Sequence, residues 1–321
     1  MLKKIMIAAM VISIMITAIT GCSEKSPAEP IDVKVMIPKG TPQLAIIKMV
    51  TEKPQFKGYD VIYEFPNSND LLASMFMNEE AQIILAPTNL GAIIHNKGID
   101  YRLHGVIIWG SLYLVGNEKT GSLEELSGKE IYSTGKGLTT DVLLNYLLKT
   151  NGVRDYTIKY ASAASELTPL FLTGKSNISL MPEPALSMVL SKKPETEIVM
   201  DFVTEWKKAT GLDKSYPQAA VFVNEAFRSS NAKFMNDFNE ELKKAADWVN
   251  ENMETAGTYY SQIEPGLPAE VITASIPRSN IQYILTEDAK QSLIKYYGIL
   301  LEDDPANIGG KMPDEEFYFE K

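Results

Sequence analysis

From residue 31 onward, short β-type runs alternate with amphipathic helical runs, and this alternation restricts the fold more than any other feature of the chain. Residues 33–37 (VKVMI) form a β-type run that ends at Pro38-Lys39-Gly40. Residues 41–53 then place Ile46, Met49 and Val50 at helical spacing, with Pro42 at a first-turn position. The unit repeats. A strand at 59–65 precedes a helix at 68–80 with Ser68 as N-cap, and a strand at 81–86 precedes a short helix closed by Gly98. A second set begins near residue 123. It has strands at 130–133, 156–160, 178–181 and 197–202, with helices running to about 149 and over 165–173 and 185–191. Residues 101–115 suit two strands, or one strand that leaves the first sheet. Residues 218–223 read as strand, and 286–301 as the last clear helix. Between them, Phe234, Phe238, Leu242, Ala245 and Val249 mark a helix capped by Ser229 or Ser230, and 271–284 is ambiguous.

Strands alternating with helices call for mainly parallel sheets covered by helices, so the fold class is α/β. The simplest arrangement has two lobes. Residues 31–114 and 222–321 form lobe one and 115–221 form lobe two, with hinge crossings near 112–117 and 217–223.

The chain begins with Lys3 and Lys4, followed by an apolar run from Ile5 to Ile19 that is short for a bilayer span. This is the pattern of a secretory signal peptide over residues 1–21. Ile19-Thr20-Gly21-Cys22 resembles the bacterial lipobox, in which the cysteine is acylated and becomes the first mature residue. Cys22 is the only cysteine among the 321 residues, so an internal disulfide is excluded. Residues 22–30 are polar and carry two prolines, as expected of a tether. The body is therefore expected outside the cytoplasm, lipid-anchored to a membrane that it does not cross. A formal net charge of −10 argues against nucleic acid as a partner. Two histidines and one cysteine leave little for a zinc site, and no metal or other cofactor is expected.

Taken in order, several segments resemble a known family. They are the lipobox, Pro38-Lys39-Gly40-Thr41-Pro42, Ala86-Pro87-Thr88-Asn89, Trp109-Gly110-Ser111-Leu112-Tyr113, Gly135-Lys136-Gly137-Leu138-Thr139-Thr140-Asp141, Pro182-Glu183-Pro184-Ala185 and Ile276-Pro277-Arg278-Ser279-Asn280. Together they look like the extracytoplasmic solute-binding lipoproteins of ABC importers, in the branch that includes nitrate, sulfonate, taurine and thiamine-precursor binders. The resemblance implies a type II periplasmic-binding-protein clamshell that is monomeric, is not an enzyme, and delivers one small molecule to permease and ATPase subunits. A membrane-tethered sensor, or an enzyme of the same two-lobed architecture, is the alternative.

In open α/β sheets, ligands sit beyond the carboxyl ends of the strands, where helix starts offer unpaired N–H groups. That rule selects Gly40 and Thr41, Asn67, Thr88 and Asn89 in lobe one, and Gly137, Thr139 and Thr140 in lobe two. Each of these also suits a turn or a cap. Trp109 could stack on a flat ligand or pack in the core. Glu183, fixed between two prolines, could accept from an N–H-bearing ligand, pair with a cation across the lobes, or cap the helix at Ala185. Arg278 could clamp an anion or pin the chain by an ion pair. His95 and His104 read as structural. These residues point to a small polar organic solute: a heterocycle such as a thiamine-pyrimidine-like precursor, or a sulfonate or other small anion. Cys22→Ala should move the protein from the membrane to the soluble extracytoplasmic fraction with its melting temperature unchanged. Fractionation of the two forms checks this, and wild-type protein that is already soluble contradicts it.

Overall fold

The structure is a computed structural model, and it describes residues 29–319. The signal-peptide segment and Cys22 lie outside the described residues. The strands divide between two sheets. The six-stranded sheet of lobe one has the order β11-β4-β10-β3-β1-β2. Its strands are β1 (Ile31–Met36), β2 (Tyr59–Glu64), β3 (Ile83–Pro87), β4 (Tyr101–Ile108), β10 (Ala219–Asn224) and β11 (Ile281–Leu285). The five-stranded sheet of lobe two has the order β7-β6-β8-β5-β9. It is built from β5 (Leu112–Gly116), β6 (Glu130–Thr134), β7 (Thr157–Ala161), β8 (Ile178–Pro182) and β9 (Glu197–Asp201).

Among the described strands, four of the nine pairings are parallel, those of β1 with β2 and β3 and of β6 with β7 and β8, as the β–α alternation requires, and both sheets are mixed rather than mainly parallel. β5 and β10, each entered directly after a crossing, and β11, which runs antiparallel to β4, account for the other five. β5 runs antiparallel to β8 and β9, and β10 runs antiparallel to β3 and β4. Residues 101–115 are thus two strands in two different sheets. The sequence-based boundaries at 114/115 and 221/222 fall inside β5 and β10; the chain changes sheet earlier, at 109–111 and at 211–218.

The helices of the first half are α1 (Thr41–Ala45), α2 (Ile47–Glu52), α3 (Asn69–Met77), α4 (Thr88–Asn96), α5 (Thr139–Thr150), α6 (Ala164–Leu172) and α7 (Ala185–Lys192). Those of the second half are α8 (Phe202–Thr210), α9 (Glu225–Ser230), α10 (Ala232–Glu251), α11 (Met253–Ile263), α12 (Ala269–Ser279) and α13 (Thr286–Asp303). Ser68 caps α3 as expected, its hydroxyl accepting from Leu71 N at 3.1 Å. Ser229 and Ser230 do not cap the long helix. They end α9, and α10 starts from Asn231 without a side-chain cap. The ambiguous stretch 271–284 resolves into α12, which carries Pro277 in its last turn, and β11. Helices α8 and α11 have no counterpart in the sequence reading. Among the described residues, no helix is long and apolar enough to cross a membrane.

The crossings meet at Gly110. Its φ of 96° lies in the left-handed region, and a Cβ there would stand 2.8 Å from Ser215 Oγ and 2.9 Å from the Tyr216 ring. Main-chain and side-chain bonds tie the two segments together. Gln218 N donates to Ile108 O (2.8 Å), Ser111 N to Gln218 Oε1 (2.7 Å) and Leu112 N to Tyr216 OH (3.3 Å). Beside the hinge, Trp206 of lobe two packs against Tyr216 and against Tyr296 of lobe one, at 6.0 and 5.8 Å between ring centroids.

His104 lies in β4 with no part exposed, stacked on Phe319 at 4.2 Å, and neither ring nitrogen has a partner. Burial, with a smaller push from Arg228, lowers it from 6.5 to about 3. The unfolded chain therefore takes up this proton first, and folding stability is lost as the pH falls from 6.5 towards 3. His104→Phe should remove up to about 1.4 kcal/mol per pH unit from the acid slope in that window. Urea unfolding of both proteins across the window measures it, and parallel slopes contradict it.

Candidate functional site

The carboxyl ends of both sheets face one cleft of about 590 Å³ lined by both lobes. This volume suits a small organic molecule. Of the residues selected from sequence, Gly40, Thr41, Asn67, Thr139, Thr140 and Glu183 line it. Thr88, Asn89, Trp109, Gly137 and Arg278 do not.

Gly40 precedes α1 with a φ of 98°, and its N–H donates to Tyr260 OH at 3.1 Å. Thr41 is buried, with its hydroxyl 3.4 Å from Ser111 Oγ at the hinge. Asn67 is exposed at the rim. In lobe two, Thr140 is half-buried at the start of α5.

Asn89 has another role. Its amide donates to Gly137 O at 3.1 Å and to Asn307 O at 3.0 Å, and its oxygen accepts from the Thr139 hydroxyl at 3.1 Å. Tyr296 OH donates to Thr139 Oγ1 at 3.2 Å. Asn89 thus joins α4 of lobe one to the loop before α5 of lobe two, and its hydrogen-bonding groups are committed to the protein. Thr88 is buried beside it, its carbonyl accepting from Tyr297 OH at 3.0 Å. Neither residue caps a helix starting at Leu90, because α4 already begins at Thr88. Trp109 is buried, with Nε1 donating to Gln282 O at 3.0 Å; it packs in lobe one and offers no platform to the cleft.

Glu183 presents its backbone to the cleft and turns its carboxylate away, with none of that side chain exposed. Oε1 accepts from Arg278 Nε at 2.5 Å and from Ser187 Oγ at 3.0 Å, and Oε2 accepts from Ser187 N at 3.0 Å. Arg278 Nη2 also donates to Ser187 Oγ at 2.7 Å, and the Arg278 carbonyl accepts from Tyr113 OH at 3.1 Å. Glu183 therefore caps α7 and pairs across the lobes, and Arg278 is its partner. Neither is a ligand clamp here. Burial pushes the Glu183 carboxyl above the usual range, and Arg278 pulls it part of the way back.

Several lining residues were missed from sequence. Residues 162–165 (SAAS) lead from β7 into α6, a strand-end position that the same topological rule would have selected. Gln218, Tyr260 and Glu264 come from distant segments and carry no local signal.

No protein-family model matches the sequence, and no curated protein matches it. Solved structures do. An ABC transporter from Parabacteroides distasonis is 28% identical with a TM-score of 0.76, over 90% of this chain and 99% of that chain. The periplasmic aliphatic sulphonate binding protein of Escherichia coli is 14% identical with a TM-score of 0.67, over 91% and 95%. This chain has the two-lobed periplasmic-binding-protein fold. The periplasmic nitrate-binding protein of Synechocystis shares that fold at 13% identity and a TM-score of 0.66, over 87% of this chain and 84% of that one. Within this fold, the cleft described above lies where the two lobes face each other.

Arg278→Met would leave a buried carboxylate without its counter-charge. The expected loss of stability is about 2–4 kcal/mol, below the full range for buried pairs because one-third of the Arg278 side chain is exposed. Adding Glu183→Gln should restore part of it. Chemical denaturation of the single and double variants checks this; a single variant as stable as the parent contradicts it.

Proposed function

We propose that this chain is the solute-capturing component of an ABC importer, a monomer held outside the cytoplasm by lipid on Cys22, which hands its ligand to permease and ATPase subunits. The observation that carries the reading is the cleft of about 590 Å³, lined from both lobes beside two chain crossings. Such a cleft can close on a ligand by rotation about the hinge. The likeness to the Parabacteroides ABC transporter over nearly the whole of both chains supports it. The solute is a small polar organic molecule, either a nitrogen heterocycle or a small organic anion. The volume supports a solute larger than nitrate.

A solute that binds only the folded protein should stabilise it by about 2.7 kcal/mol at about a hundred times its dissociation constant. It should also reduce the radius of gyration as the lobes close. Mass spectrometry of the molecule that co-purifies with the protein identifies the solute, and thermal denaturation with small-angle scattering measures both effects. A protein that carries no small molecule, and that no member of a panel of pyrimidines, sulfonates, amino acids and nitrate stabilises, contradicts the reading.

A further inference from the structure

Seven of the chain's 17 prolines line the cleft. Pro38 and Pro66 follow β1 and β2, Pro87 and Pro182 end β3 and β8, and Pro42, Pro169 and Pro184 belong to helices or their starts. A proline has a carbonyl but no N–H. At these positions the main chain has no hydrogen bond to donate to a solute.

Its helix starts are also already supplied with negative charge. Asp70 lies in the first turn of α3. Asp141, in the first turn of α5, accepts from Gly137 N at 2.8 Å. Glu166, in the first turn of α6, accepts from Ser162 N at 3.0 Å, and Glu183 accepts from Ser187 N in α7. Each carboxylate offsets the positive end of its helix dipole, the feature that otherwise draws an anion to a helix start.

The cations do not reverse this balance. Lys39 pairs with Glu264 at 3.0 Å, and both line the cleft. Lys136 sits over the Tyr160 ring at 5.7 Å. Arg278 is held by Glu183. Lys192, exposed in the last turn of α7, is a further cation in the lining. Other donors are taken as well: the Gln218 amide donates to Ser111 Oγ at 3.0 Å, and the Thr139 hydroxyl to Asn89.

We propose that the cleft selects a solute with no net negative charge that brings its own N–H or ammonium donors, and that it discriminates against oxyanions. The inference rests on the solute-capturing reading. It separates this chain from the sulphonate-binding and nitrate-binding proteins whose fold it shares.

Calorimetric titration with six-carbon probes that differ only in the head group tests it: hexylamine, hexanamide, hexanoate and hexanesulfonate, with sodium nitrate alongside. The amine and the amide should bind about tenfold or more tightly than the carboxylate and the sulfonate. Glu166→Gln, at an exposed position, should narrow the gap between amine and sulfonate by about twofold to fivefold. Tighter binding of the sulfonate, the carboxylate or nitrate overturns the charge preference while leaving solute capture standing, as does an anionic co-purifying molecule. No binding by any probe, together with no co-purifying molecule, overturns both.

Discussion

Glu183 has no exposed side-chain surface, yet its carboxylate stands in lobe two and its counter-charge, Arg278, in lobe one. A buried carboxylate is tolerated only if it is paired and hydrogen-bonded, and here Arg278 and Ser187 supply both conditions. The pair therefore ties α7 of one lobe to the end of α12 of the other. Tyr113 reinforces the link through the Arg278 carbonyl, and Asn280 does so through Gly110 O at 2.7 Å. On the other flank, Asn89 and Thr139 make a neutral link between α4 and α5. The position of one lobe against the other is thus set by polar bonds on both flanks and by the Trp206–Tyr296 contact beside the hinge.

The same arrangement explains which residues are left for a ligand. Side chains that bridge the lobes are saturated, so the cleft is left with hydroxyls, main-chain groups, apolar surface, the Lys39–Glu264 pair and Lys192. Proline at strand ends breaks the strand cleanly and removes a donor in the same step. A feature that looks like turn chemistry in the sequence thereby becomes a property of the cleft.

The two-sheet architecture was legible because periodicity reports which face of an element is buried, and that signal is local. The exchange between sheets was less so. Residues 101–115 are largely apolar, and only the break at Trp109-Gly110-Ser111 separates β4 from β5. At the site, strand-end position was the legible part, and it selected Gly40, Thr41 and Thr140, which line the cleft. It could not show that Asn89 would meet Gly137 and Asn307, or that Glu183 would meet Arg278, because those contacts span 48, 218 and 95 positions. A conformationally fixed carboxylate between two prolines reads the same in sequence whether it faces a ligand or a distant arginine.

The proposed solute is held between the lobes by residues from both. A crystal structure of the protein with the solute that it captures tests this most directly. The solute is expected in the cleft, in contact with the Gly40–Thr41 turn of lobe one and with Thr140 and Ser165 of lobe two, while Glu183 remains paired with Arg278. A solute bound outside the cleft, or one that displaces Arg278 from Glu183, would contradict it.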